Sequence, residues 1–208
     1  MDNLNDHMSH SSNYSHEVGN KSDTLLCWGK KVSEKFISRI IEIGKNLEVS
    51  PNFLMACIAF ETGGTFSASI ESASGSGAVG LIQFMPSTAQ ALGTTTEKLA
   101  SMGAVKQLDY VEKYFFPKKG KLKNIDDVYM AILWPAAIGK PKDSILFDRN
   151  DPKCPKRYIQ NSGLDYNKDG KITKEEATEK VREYLELGLA AENAYACKKP
   201  NNRREFYG

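Results

Sequence analysis

The chain has 208 residues, 40% of them apolar and 26% charged, which suits one globular domain with at most a small appendage and excludes wholesale disorder. Its 28 basic and 26 acidic side chains leave a net charge of +2, too balanced to predict nucleic-acid binding. No run of about 18 apolar residues occurs, so no membrane span is predicted, and the four cysteines lack the CxxC spacing of a zinc cluster.

Residues 1–23 are polar and rich in Ser, Asn and His, and are expected to form a flexible arm in which His7, His10 and His16 are solvated. This arm has no apolar centre and does not read as a Sec signal peptide, so a protein acting outside the cytoplasm would need another carrier. From Val32 the pattern becomes helical, with Phe36, Ile37, Ile40, Ile41 and Leu47 forming one stripe. Ser50-Pro51 then reads as an N-cap followed by proline in the first helical position. The segment PNFLMACIAFE is apolar on almost every side, which predicts a central core helix, with Cys57 as a small core residue. Gly63-Gly64 ends it.

A loop of small residues and a short apolar piece, GLIQFM, precede a short helix opened by Pro86-Ser87. TTTEKLASMG and AVKQLDYVEKYFF predict two more helices, the second with Val105, Leu108, Val111 and Phe115 in step. The basic turn PKKGKLK reads as a solvated loop or a polyanion contact. NIDDVYMAILWP predicts a helix whose Asp126 and Asp127 favour its N-terminal dipole. Irregular sequence from Ala136 to Gly163 leads to DYNKDGKITKEE and a last helix through about Tyr195. Cys154 and Cys197 flank this last segment and either pair in an oxidising compartment or stay free. Neither internal repeats nor sustained strand-like alternation is present, so the predicted fold class is all-α.

Glu61 ends the apolar helix. Such a residue either reaches solvent or is held in an apolar setting that raises its carboxyl pKa, as a general acid requires. The residues that follow bear on the choice. Glu61-Thr62-Gly63, Ser74-Gly75-Ser76-Gly77-Ala78, Gly80-Leu81-Ile82-Gln83 and Pro86-Ser87-Thr88-Ala89 stand in the order and spacing seen in soluble lytic transglycosylases and goose-type lysozymes. Over about residues 32–140 the chain resembles that superfamily, above all the wall-degrading enzymes of phages and secretion systems.

The resemblance implies a lysozyme-like multi-helix domain. It further implies that Glu61 is the catalytic acid, that Ser74 orients it and that Gln83 contacts the sugar chain. Gly77 and Gly80 would let the backbone approach a bulky glycan. The A-Y-N-A-G stretch common in lytic transglycosylases is replaced by Tyr129-Met130-Ala131-Ile132-Leu133-Trp134, without the Asn. Tyr129 and Trp134 are candidates for the aromatic role against a pyranose ring, or are core aromatics. A two-carboxylate hydrolase needs a partner acid about 5–5.5 Å or about 6.5–9.5 Å away. Glu71 is either that partner or a solvated loop residue. With one carboxyl, the outcome implied by the resemblance is attack by the sugar's own 6-hydroxyl, leaving a 1,6-anhydro end.

Residues 165–176 fit the EF-hand calcium loop. Asp165, Asn167 and Asp169 take positions 1, 3 and 5, Gly170 position 6, the Lys171 carbonyl position 7, Ile172 position 8 and Glu176 position 12. The competing expectation is an Asx-rich turn with a Thr173–Glu176 capping box. A lone loop of this kind, preceded by the short helix KRYIQNSGL, is expected to clamp structure rather than to sense calcium.

The predicted organisation is an arm at 1–23, a lysozyme-like catalytic domain at 24–150, and an EF-hand-like loop and helix at 151–208 packed on that domain. The expected function is cleavage of the β-1,4 bond between N-acetylmuramic acid and N-acetylglucosamine in peptidoglycan, by lytic transglycosylation or hydrolysis with Glu61 as general acid/base, in a monomer that binds calcium structurally. A catalytically inactive, calcium-dependent wall-binding module is the alternative. The expected place of action is the bacterial periplasm or cell wall, reached through a holin, a virion or a secretion machine. Delivery by a secretion machine would imply an immunity protein in the producer.

Overall fold

The structure, a computed structural model, describes residues 25–197. The predicted arm and its three histidines lie outside the described residues. Eight α-helices and four short strands make up the described part. Helix α1 (Glu34–Leu47) starts where the Ser33 side chain accepts the Phe36 N–H, and buries Phe36, Ile37, Ile40, Ile43 and Leu47. Ile41, expected on this stripe, lies on the outer face at 39% exposure, and Ile43 takes its place. The steps Phe36, Ile40, Ile43 and Leu47 follow the 3.6-residue period, whereas Ile41 is rotated away from them.

Helix α2 (Pro51–Glu61) buries Leu54 through Ala59 without interruption, because α1, α6 and α8 pack around it. Its apolar circumference is what a helix with neighbours on several sides requires. Pro51 is the first helical residue as expected, but the Ser50 side chain makes no capping hydrogen bond. Helices α3 (Pro86–Ala91), α4 (Thr96–Ala100) and α5 (Ala104–Phe115) follow, with α5 laid against α1. Helix α6 (Ile125–Leu133) crosses behind α2, and the long α8 (Lys174–Leu189) packs on both.

The stretch expected to be irregular contains strand β2 (Ile145–Asp148), which is too short to show a period in sequence, while the short helix expected over KRYIQNSGL is formed as α7 (Pro155–Asn161). Strand β2 pairs antiparallel with β3 (Lys171–Thr173), so the candidate calcium loop is stitched across the expected 150/151 boundary. The last helix stops at Leu189 rather than near Tyr195. There the chain turns, and β4 (Tyr195–Ala196) pairs with β1 (Leu25–Leu26), joining the two ends of the described chain. The Cys154–Cys197 pairing is not formed, and all four cysteines are free thiols. No helix of the described residues is long and apolar enough to cross a membrane.

Asp126 and Asp127 are buried, not merely turned toward the N-terminal dipole of α6. Asp127 pairs with Lys174 at 2.7 Å and Asp126 with Arg182 at 2.9 Å, which ties α6 to α8.

Candidate active site

Glu61 occupies the last position of α2, where the chain leaves the core. Just beyond it the Thr62 hydroxyl donates to the Ile58 carbonyl at 2.7 Å and accepts the Phe66 N–H at 3.1 Å. Gly63 and Gly64 follow with φ of 57° and 79°, and the Gly64 N–H reaches back to the Ala59 carbonyl at 2.7 Å. The reversal is tight enough to hold Glu61 at the rim, partly exposed, with apolar helix behind it.

Burial alone pushes the Glu61 carboxyl up to about 8. A group with that value is protonated at neutral pH and can donate its proton. Burial, and then the nearby charge of Glu61, push up the Tyr129 hydroxyl and carry that of Tyr114 to about 12. These two phenols therefore stay neutral beside the acid. Tyr114 donates to the Ala131 carbonyl at 2.6 Å, and Lys118 sits over its ring at 4.1 Å.

The glycine-rich loop is built as a tight fold-back. Val79 bridges Glu71 on one side and Phe84 on the other, and the Gly80 N–H donates to the Ile70 carbonyl at 2.8 Å. Its support is Gln107 on α5, a fully buried amide that sequence reasoning passed over. Gln107 Nε2 donates to the carbonyls of Ala68 and Leu99 at 2.9 and 2.8 Å, and its Oε1 accepts the Leu81 N–H at 2.7 Å. The signal was present in the sequence: Gln107 stands four residues before the core position Val111, inside the apolar face of α5.

Gly80 is glycine because of this amide, not because of a glycan. It is buried with φ of 80°, and a Cβ there would overlap Gln107. Gly80→Ala is accordingly expected to destabilise the fold by about 1–3 kcal/mol, from overpacking and the left-handed backbone together. Urea unfolding measures it, and a change under about 0.5 kcal/mol would contradict the role given to Gln107. Gly77, by contrast, is exposed at φ of 74°, with only Pro86 nearby.

The expected site residues are not all brought together. Gln83 is half-buried with φ of 50°, and its Nε2 donates to the Gly80 and Ile70 carbonyls at 3.2 and 3.3 Å. Its amide nitrogen is thus spent on the loop. Ser74 stands exposed at the loop tip, and its hydroxyl is bonded to that of Ser72 at 2.8 Å. The geometry does not carry the expectation that Ser74 orients Glu61, because the turn closed by Gly75 N–H on the Ser72 carbonyl holds it at the tip. Glu71 is exposed, on the wall of a hollow of about 190 Å³ shared with Gly77, Val79, Thr96, Glu97 and Ala100.

Tyr129 is 5% exposed and packs edge-on against Phe60 at 5.3 Å, so it offers no free face to a sugar ring. Trp134 is half-buried, with Phe147 against it at 5.4 Å and the Arg157 guanidinium over its ring at 4.8 Å. Neither is an open aromatic platform. A separate hollow of about 560 Å³ lies on the α1–α5 face, lined by Arg39, Asp109, Tyr110, Glu112 and Phe116 among others. Its two acids are both paired with Arg39, and Glu61 is not among its walls.

The loop at 165–176 is shaped around carboxylates. Asp165 Oδ2 accepts the Tyr158 hydroxyl at 2.5 Å and the Gly170 N–H at 3.0 Å. The Tyr158 hydrogen bond, foremost, holds its carboxyl below the usual range. Glu176 Oε2 accepts the Thr173 N–H at 2.9 Å and the Thr173 hydroxyl at 2.8 Å, so the expected capping box is formed. The second oxygens, Asp165 Oδ1 and Glu176 Oε1, are both buried without a hydrogen-bond partner. Two such orphaned oxygens in one loop are costly unless a cation meets them. Asn167 Oδ1 and Asp169 Oδ1 accept the N–H groups of Asp169 and Lys171 at 2.8 and 2.7 Å. Among the described residues no three His, Cys, Asp or Glu side chains converge on one point. The loop's donor set is of a different kind: it adds an amide and a main-chain carbonyl to its carboxylates, and such an all-oxygen set fits calcium.

Residues 38–109 match the family model of the transglycosylase SLT domain, a span holding Glu61, the glycine-rich loop and Gln107. No curated protein matches the chain.

Proposed function

We propose, from the match of residues 38–109 to the transglycosylase SLT domain, that the chain is a lytic transglycosylase of peptidoglycan in which Glu61 cleaves the β-1,4 bond between N-acetylmuramic acid and N-acetylglucosamine. The observation that carries this reading is the place of Glu61 as the last residue of the buried α2, against the Gly63-Gly64 reversal, where burial raises its carboxyl to about 8. At neutral pH Glu61 donates its proton to the glycosidic oxygen as the bond to the muramoyl C1 breaks. The resulting carboxylate then accepts the proton of the muramoyl 6-hydroxyl, whose oxygen bonds to C1. The products are a free 4-hydroxyl and a 1,6-anhydro end, and Glu61 is protonated again.

The exposed position of Glu71 supports this single-acid route over a two-carboxylate hydrolase. Gln83, held at φ of 50° with its Nε2 donating to the Gly80 and Ile70 carbonyls, keeps the glycine-rich loop in one conformation. Mass spectrometry of fragments released from purified peptidoglycan tests the reading. Fragments with anhydro ends are expected. Reducing ends alone would replace it with a hydrolase, and no release at all would leave a wall-binding module. Cleavage of this bond lyses walls, which makes the activity antibacterial when it is delivered to a target cell; expression directed to a periplasm, with and without Glu61→Gln, tests that role.

Calcium belongs to the same proposal. Asp165, Asn167, Asp169 and Glu176 hold it with their side chains and Lys171 with its carbonyl, with a water near Thr173. The orphaned oxygens of Asp165 and Glu176 support this. Bound there, calcium supplies charge neutralisation and cross-linking, while bond cleavage draws on the proton of Glu61. Calcium at a hundredfold excess over Kd is expected to add about 2.7 kcal/mol to stability. Chelator should remove that gain, and Asp165→Ala should erase the difference between the two conditions. Identical melting of the wild-type protein with calcium and with chelator would contradict the site.

A further inference from the structure

Lys174 opens α8 two residues before Glu176, and it is 2% exposed. Its Nζ donates to Asp127 Oδ1 at 2.7 Å and to the Lys140 carbonyl at 2.9 Å. Asp127 Oδ1 also accepts the Gly139 N–H at 2.8 Å. Main-chain bonds run alongside, from the Lys174 N–H to the Ser144 carbonyl and from the Glu175 N–H to the Lys142 carbonyl. The start of α8 is therefore fastened to α6 and to the chain leaving it.

From that anchor both helices lead to the acid. Along α8, Tyr184 packs edge-on against Phe60 at 5.6 Å, and the Tyr184 carbonyl accepts Trp28 Nε1–H at 2.8 Å. Along α6, Tyr129 meets the same Phe60 ring at 5.3 Å. Phe60 directly precedes Glu61. A buried ion pair is a weak source of net stability compared with apolar residues of similar size, but a pair of this kind can fix the register between the elements it joins.

We infer that Lys174 is a positioning residue: paired with Asp127, it carries the bracing of the 165–176 loop by a divalent cation into α6 and α2, the helices that hold Glu61. This inference rests on the calcium reading above, and its test separates the two.

Amide hydrogen exchange of the full chain, in chelator and in calcium chloride, is the measurement, after calorimetric titration has given Kd. Openings that must release the ion are slowed by the factor 1 + [L]/Kd, about 100-fold at a hundredfold excess. The slowing is expected in the loop, in α6 and in the last turns of α2. In the double variant Lys174→Met, Asp127→Asn the ion should still bind with Kd within about threefold, and the slowing should remain in the loop but vanish from α6. A pair that only stabilised the fold would raise exchange equally with and without calcium. The double change avoids leaving a buried carboxylate unpaired, and Lys174→Gln, Asp127→Asn serves as a second variant that keeps a neutral hydrogen bond. Slowing confined to the loop in the wild-type protein overturns the inference, as does slowing of α6 that persists in the variants. No heat of calcium binding would instead overturn the calcium reading beneath it.

Discussion

A Glu61→Gln protein is expected to keep its fold and to lose wall cleavage by about 10²–10⁴-fold. The amide is nearly isosteric with the acid and sits in the same place at the end of α2, but it has no carboxylic proton to give. The same change should stabilise the protein. The folded-state value of Glu61, about 8, lies above the unfolded value of about 4.3, so the folded protein holds this proton more tightly. Wild-type stability therefore falls as pH rises from the lower value to the higher, and levels off above it. Glutamine carries no such dependence. The variant should gain on the wild type across that window, by about 2 kcal/mol at pH 7 once partial exposure is discounted. Melting at pH 4, 7 and 9 reads the gain, and turbidity loss of purified walls reads the activity. Near-normal lysis by the folded variant would remove Glu61 from the chemistry.

Lys174→Met alone should be the most damaging of the structural changes. It leaves Asp127, with its side chain 4% exposed, as a buried carboxylate whose remaining partner is the Gly139 N–H. Removing one member of such a pair costs about 3–5 kcal/mol, on the order of a 10 °C fall in Tm for a chain of this size. The Arg39 network with Asp109 and Glu112 offers a contrast. Those side chains are 20–35% exposed, and Arg39→Met should cost less. Comparable losses for the two substitutions would mean that Asp127 reaches water or a proton once Lys174 is gone.

The features most legible in sequence were those fixed by local pattern. The apolar circumference of α2, the glycines that end it and the spacing of the 165–176 loop are all visible without coordinates, and they point to Glu61 and to the loop proposed to hold calcium. The misplaced features depend on partners distant in sequence. Ile41 and Ile43 differ by two positions on one helix, and the placement of α2 and α5 against α1 decides which of them is buried. Gly80 reads as room for a glycan until Gln107, twenty-seven residues later, is seen filling the space a Cβ would need. Asp126 and Asp127 read as dipole partners because Arg182 and Lys174 lie about fifty residues on. Tyr129 and Trp134 carry the right ring chemistry for a sugar, yet Phe60, Phe147 and Arg157 already occupy their faces or edges. Strand β2 pairs with β3 at the end of the 165–176 loop, which gives that loop a strand partner that no local pattern announces.

The central claim is that Glu61 holds a proton at neutral pH, ready for the glycosidic oxygen. Carbon-13 NMR titration of the glutamate side-chain carboxyls tests it most directly, with the Glu61→Gln protein identifying the resonance. One signal, absent from the variant, is expected to titrate near 8. Titration of that same signal between about 4 and 5, with the ordinary glutamates, would contradict the claim.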